Sequence, residues 1–352
     1  MGGLPGAPGG VALDPAAFEA YLRDTSKEVD AELHTWLPEA NGIPHLHEGV
    51  RYALGLDVTE RKRRGKRLRP ALCLLACESL GGDPRRAMPF ALASEMLHNF
   101  MLVHDDIEDG DRVRRGRDAV WVRYGLEHAI NIGDYMFAQT YDLVHASGER
   151  GVPADQVLRL VDIISGTVKR TGEGQALELG ARLRRDLSVD DYLDIVRAKT
   201  GRYLAAPLLG GAEVAGADPE VLRALASLGD QIGPVFQIAD DVLDLSMSKG
   251  RGEPGSDIRE GKRSLLVVHT AAAATSQEAA ELFRILDTPR EQVTDDEVTW
   301  VMNLFEKYEA VEAAKGVARE MQTAAEGVLR ALPDPLRANL STAVAFMLGR
   351  KW

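Results

Sequence analysis

What most constrains the fold of this chain is the repetition of one helical grammar along its length. Asp14-Pro15 supplies an N-cap followed by proline at the first helical position, and Phe18, Leu22, Val29, Leu33 and Leu37 then recur at helical spacing. The first helix is therefore expected to run to about Leu37. Gly81-Gly82 closes a later helix, and Asp83-Pro84 opens another whose apolar positions include Met88, Ala91, Leu92 and Met96. Further helices are predicted over 126–145, 155–171, 189–210, 219–245, 265–274 and 295–331, whereas sustained period-two alternation is scarce. These patterns predict an all-α protein. No fixed-period repeat suggests a solenoid, and no Pro/Gly/Ser linker divides the middle. A single helical domain over residues 14–352 is expected. Residues 1–13, rich in glycine and proline, have too little to bury and read as a flexible tail.

Composition narrows the class further. With 45% hydrophobic and 27% charged residues over 352 positions, the chain is an ordinary globular one with material for a large core. Its longest apolar stretches, 71–77 and 264–274, fall well short of the ~20 residues that span a bilayer. The 42 basic and 54 acidic side chains give a net charge of -12, a field that repels phosphates and anionic membranes. An anionic partner would need a local basic patch or a metal. Cys73 and Cys77 stand one helical turn apart with no further ligand pair, so they read as core residues. The first residues lack the pattern of a signal peptide or a myristoylation site, and a cytoplasmic protein is expected.

The chemistry is concentrated in two acidic motifs. His104-Asp105-Asp106-Ile107-Glu108-Asp109 places four acids in five positions, with Asp105 and Asp109 one turn apart, about 6 Å in rise. Taken alone, such a pair reads first as a solvated acidic helix end and only second as ligands for a hard cation. An EF-hand is excluded, because Ile107 and Gly116 would occupy its ligand positions. The arrangement recurs 135 residues on, where Gln237, Asp240, Asp241 and Asp244 line one face of an otherwise apolar helix. Two carboxylate faces on largely apolar helices point to a shared polyvalent cation. Basic residues adjoin both motifs: Arg112, Arg114, Arg115 and Arg117 follow the first, and Lys249, Arg251, Arg259, Lys262 and Arg263 follow the second. The run from Arg61 to Arg69 holds seven cations in nine and could bind nucleic acid, but no stacking platform or second basic helix accompanies it. A polyphosphate held by metal on one side and by Arg and Lys on the other fits the pattern.

An ordered set of segments resembles the trans-isoprenyl diphosphate synthases, or polyprenyl synthetase family, over about residues 60–270. They are Gly65-Lys66-Arg67-Leu68-Arg69-Pro70, His98 with the motif at 104–109, Arg114-Arg115-Gly116, Lys199-Thr200-Gly201, Phe236-Gln237-Ile238-Ala239-Asp240-Asp241 and Asp257-Ile258-Arg259-Glu260-Gly261-Lys262. The resemblance is strongest to bacterial members that make the C20 geranylgeranyl chain. It implies an antiparallel helical bundle around a deep central cavity, with both acidic motifs at its mouth. It also implies three Mg²⁺ ions, on Asp105, Asp109 and Asp240, with Asp106, Asp241 and Asp244 orienting metal-bound waters. Arg114, Lys199, Thr200, Gln237 and Lys262 are then assigned to an allylic diphosphate, with Arg114 and Lys199 also assisting catalysis. Lys66, Arg69, His98 and Arg115 are assigned to isopentenyl diphosphate.

The implied reaction is Mg²⁺-dependent chain elongation, in which an allylic diphosphate ionises and isopentenyl diphosphate attacks it. The implied partners are small diphosphates and a second copy of the chain, with neither nucleic acid nor integral membrane contact. Phe100 and Met101, just upstream of the first motif, are the residues expected to set product length, and the short motif with one aromatic resembles C20 synthases. The alternatives are farnesyl or C25 and longer products, a terpene cyclase on the same scaffold, and a catalytically silent subunit of a heteromeric synthase. The intact Lys66, Arg69, His98 and Arg115 set disfavours a cyclase, and two complete acidic motifs disfavour a silent subunit. Two segments depart from the family pattern. Glu253 stands near a usual lysine, for which Lys249 is the nearest substitute, and Glu178 replaces the aspartate of a Gly-Gln-x-x-Asp segment at Gly174.

Overall fold

The computed structural model describes residues 12–38, 43–60, 64–246 and 254–349. The longer helices, in chain order, are α1 (Pro15–Trp36), α2 (Leu46–Ala53), α3 (Leu68–Ser79), α4 (Pro84–Glu108), α5 (Leu126–Glu149), α6 (Ala154–Ala181) and α7 (Val189–Val196). They continue as α8 (Arg202–Val214), α9 (Pro219–Asp244), α10 (Leu265–Ala273), α11 (Ser276–Leu286), α12 (Asp295–Lys307), α13 (Ala310–Arg330) and α14 (Leu336–Leu348). Among the described residues the only strands are Val113–Arg114 and Arg117–Asp118, paired antiparallel, so the all-α class holds.

The chain forms two compact units. One comprises residues 1–165, 206–225 and 330–343, and the other 166–205, 226–329 and 344–352. In the first unit α3 is apolar all round, and Ala71 to Cys77 are all buried, both cysteines included. The long α4 packs against α3 and α5. Its start follows the predicted grammar, with Pro84 in the first turn and the Asp83 side chain accepting the Arg85 N–H at 3.0 Å. On α1, Phe18, Leu22, Val29 and Leu33 form the buried stripe, each contributing about 1.5–3 kcal/mol of transfer free energy. Leu13, which composition places in the tail, is buried, and its N–H donates to the Asn339 side chain at 2.9 Å.

In the second unit, capping boxes at Ser188/Asp191, Thr275/Glu278 and Thr294/Glu297 start α7, α11 and α12. Two predicted helices are interrupted. The one expected over 189–210 contains a π-helical turn at Arg197–Gly201 between α7 and α8. The one expected over 295–331 breaks at Glu309, whose φ of 51° is left-handed, and becomes α12 and α13. A π-helical turn or a single left-handed residue is confined to a few positions, and the windows of about 11–18 residues in which periodicity is read average over both. Most of the expected tail, Arg61 to Arg63 of the basic run, and the loop holding Lys249, Arg251 and Glu253 lie outside the described residues.

Candidate active site

In the first unit, α4 carries its apolar face to the end and then delivers the first acidic motif as its final turn. Asp105 and Asp109 are half-buried, and the Asp109 N–H bonds back to the Asp105 carbonyl at 2.9 Å. Carboxylates at a helix C-terminus meet the negative end of the helix dipole, a cost that a bound cation removes. Asp106 points inward: it is 2% exposed and accepts both Nε (2.8 Å) and Nη2 of Arg114. Burial, only partly offset by Arg114, pushes its carboxyl up to about 6.

Arg114 ends the first strand of the ribbon, and Arg115 takes the first position of its two-residue turn. Arg115 has φ 54° and Gly116 φ 69°, the backbone of a type I′ turn, in which the first position ordinarily carries Asn, Asp or Gly. A left-handed arginine costs about 1–2 kcal/mol. That strain aims the guanidinium at Gly65 (φ 88°), where even a Cβ would come within 3.0 Å of Arg115 Cζ. Its Nη1 donates to the Arg64 carbonyl at 3.1 Å. The Tyr52 hydroxyl donates to the Asp118 carbonyl at 2.8 Å, and Arg117 lies 3.7 Å over the Tyr52 ring while pairing with Asp57. These contacts hold the ribbon from its outer side.

His98 lies among the cations assigned to isopentenyl diphosphate. Burial and the charges of Arg69, Arg115, Arg114 and Arg67 hold its imidazole well below the usual histidine range, so it is neutral at pH 7. Lys66 is exposed and Arg69 half-buried. Arg67, in the middle of the same basic run, has a different task. It is 1% exposed and bonds Asp30 (2.8 Å), Glu95 (2.8 Å) and the Leu54 carbonyl (2.7 Å), which makes it a core ion pair. Sequence reading misses this role.

In the second unit, α9 delivers the second acidic motif. Asp240 is half-buried, whereas Asp241 and Asp244 are each 2% exposed and turn inward. Asp244 accepts the Asp257 N–H at 2.9 Å and so fixes the chain before Lys262. Asp241 Oδ1 accepts Gln237 Nε2 (2.8 Å) and Lys262 Nζ (2.9 Å), and Oδ2 accepts the Tyr192 hydroxyl (3.0 Å). Lys262 also reaches Asp257 at 3.4 Å. Against the cost of burial, Asp241, Asp257 and Glu178 hold its ammonium well above the usual lysine range.

Lys199 and Thr200 lie on the π-helical turn, and Lys199 Nζ pairs with Glu178 at 2.5 Å. The longer side chain at the position of the family's aspartate thus still meets this lysine. Gly174 lets α6 approach the turn, since a Cβ there would stand 2.2 Å from the Lys199 nitrogen.

The donor set suits a hard ion. Asp105, Asp109 and Asp240 offer only oxygen, and among the described residues no group of three or more His, Cys, Asp or Glu is arranged to enclose a metal. Mg²⁺ is commonly bound through one or two carboxylates together with water and substrate phosphate, and this set fits that habit.

Each unit thus carries an acidic motif beside paired cations, a donor and charge set suited to a hard cation and a polyphosphate. A family model for polyprenyl synthetase matches residues 58–305, and the chain belongs to that family. It is accordingly a trans-prenyltransferase. It is 36% identical over 290 residues to the short chain isoprenyl diphosphate synthase of Methanothermobacter thermautotrophicus, covering 82% of this chain and 87% of the relative. It is 35% identical over 293 residues to the geranylgeranyl diphosphate synthase of Sulfolobus acidocaldarius, covering 83% and 85%. The crystal structure of geranylgeranyl pyrophosphate synthetase from Pyrococcus horikoshii superposes with a TM-score of 0.82 at 31% identity, covering 96% of this chain and 99% of that one. These relatives are archaeal, which corrects the expectation of a bacterial counterpart. Among the described residues no helix is long and apolar enough to cross a membrane.

Proposed function

We propose that the protein is a geranylgeranyl diphosphate synthase, extending a dimethylallyl, geranyl or farnesyl diphosphate with isopentenyl diphosphate. The observation that carries this reading is the division of labour within each acidic motif. In both, one or two carboxylates remain half-exposed for a cation while their neighbours are buried against Arg114 or Lys262. Asp105, Asp109 and Asp240 would hold Mg²⁺, three ions by family analogy. When bound, the metal neutralises the diphosphate and makes it a competent leaving group.

The chain's own residues orient and neutralise. Arg114, Lys199, Thr200, Gln237 and Lys262 take the allylic diphosphate, and the charge-assisted contacts of Arg114, Lys199 and Lys262 strengthen as negative charge builds on the departing oxygen. Lys66, Arg69, His98 and Arg115 hold isopentenyl diphosphate, His98 as a neutral donor. The allylic C–O bond breaks with its electron pair on the diphosphate, and the isopentenyl double bond forms the new C–C bond. The released diphosphate then takes the proton. Lys66→Ala and Arg69→Ala are expected to weaken isopentenyl diphosphate about tenfold to a hundredfold, the value of one charge-assisted contact, with little effect on the allylic substrate. Steady-state titration of each substrate checks this, and equal losses for both would reject the assignment.

Product length is the finer part of the reading. The Phe100 ring stacks on Phe137 at 5.0 Å and meets His104 edge-on at 4.9 Å. A ring held from two sides is a stiffer stop than the neighbouring Met101. Incubation with Mg²⁺, isopentenyl diphosphate and each allylic starter should give C20 as the main product, and Phe100→Ala should shift the distribution upward. A wild-type product of C30 or more would overturn the C20 reading, and an unchanged distribution in Phe100→Ala would move the stop to Met101 or to another helix.

A further inference from the structure

Tyr192 belongs to none of the motifs above, yet its hydroxyl reaches the second of them. It stands on α7, whose first turn is locked by the Ser188/Asp191 capping box, and it is 4% exposed. Its hydroxyl donates to Asp241 Oδ2 at 3.0 Å. The other oxygen of that carboxylate receives Gln237 Nε2 at 2.8 Å and Lys262 Nζ at 2.9 Å. The two oxygens therefore divide their work, one facing an anchored hydroxyl and the other facing two groups assigned to the allylic diphosphate.

A carboxylate can rotate about its last torsion, and Lys262 has a second acceptor, Asp257 Oδ2, at 3.4 Å. The hydroxyl helps to fix the plane in which Oδ1 presents itself to Gln237 and Lys262, and its loss gives the carboxylate, and with it the ammonium, more freedom to shift toward Asp257. Burial and the Asp241 charge push the Tyr192 hydroxyl well above the usual tyrosine range, so it stays a donor throughout the working pH span.

We infer that Tyr192 is a positioning residue for the allylic-diphosphate site, fixing Asp241 and through it the placement of Lys262 and Gln237. The inference rests on the assignment of Lys262 and Gln237 to that diphosphate. Tyr192→Phe removes one oxygen and keeps the ring. It should raise the allylic KM about tenfold, leave the isopentenyl KM within about twofold, and weaken equilibrium binding of a thio-substituted allylic diphosphate that does not ionise by a matching factor. In a Lys262→Ala background the same change should cost less than about twofold, because coupled residues do not add.

Equal movement of both KM values, no movement of the allylic KM, or full additivity with Lys262→Ala would each overturn the inference. If Lys262→Ala itself spares the allylic KM, the assignment beneath the inference falls. If Lys262→Ala is impaired and Tyr192→Phe is silent, the inference alone falls. Should Tyr192→Phe fail to fold, Asp241→Asn keeps the side-chain shape and tests the same anchor. An allylic-specific loss there supports the inference, and equal losses for both substrates overturn it.

Discussion

Asp105→Ala and Asp240→Ala are each expected to lower kcat by about three orders of magnitude or more while leaving the melting temperature close to that of the wild type. Both carboxylates are half-buried at the ends of long helices, so losing either removes a cation ligand without opening a cavity in the core. Metal stabilisation of charge in a transition state is worth several kcal/mol, and each 1.36 kcal/mol is tenfold in rate. Excess chelator should match the effect, and restored Mg²⁺ should reverse it in the wild type only. Full turnover in chelator, or in both variants, would reject the assigned role of the motifs. Asp106→Ala should behave differently, because it leaves the half-buried Arg114 without the carboxylate that orients it.

Arg67→Ala should act on stability. The guanidinium is buried between Asp30 and Glu95, and removing it leaves Asp30 with its second ion pair to Arg64 and buried Glu95 with the Asn99 amide in place of a salt bridge. Breaking a buried ion pair by deleting one partner typically costs about 3–5 kcal/mol. For a chain of this size that corresponds to a fall in melting temperature of about 4–7 °C, readable by calorimetry. Lys66→Ala, one residue earlier and exposed, should change it by no more than about 2 °C. Equal and small shifts in the two variants would show that the buried triad contributes nothing net.

That pair of neighbours also shows where sequence reading stops. Gly65 to Arg69 presents a row of cations with nothing local to rank them. What separates Arg67 is the presence of Asp30 and Glu95, brought to it from other helices, and the left-handed backbone (φ 50°) that turns it inward. The caps at Asp14 and Asp83 were legible because capping is local, and the two acidic motifs were legible because no more than about eight residues of one helix contain each pattern. Asp241 and Asp244 looked equivalent to Asp240 on a helical wheel. Burial distinguishes them, and burial is decided by Tyr192, Lys262 and the chain at Asp257, which no spacing rule connects to α9. The π-helical turn under Lys199 was invisible for a related reason: it occupies five residues, and a periodicity window of about 11–18 residues averages over so short a change.

In the proposed allylic-diphosphate site, the pairing of each arginine and lysine with a carboxylate has a consequence for selectivity in a crowded cell. Arg114 rests on Asp106, Lys199 on Glu178 and Lys262 on Asp241. A diphosphate that reaches these groups therefore enters by exchange, displacing an internal counter-ion rather than filling an open positive field. Chloride and single carboxylates, with one charge each, compete poorly against a tethered carboxylate at close range. A diphosphate, with more ionised oxygens than either, can engage several of these cations together. The acids that seem to quench the site thus set a threshold against singly charged anions, while the net charge of -12 repels anions in general and leaves the choice among them to these local pairs.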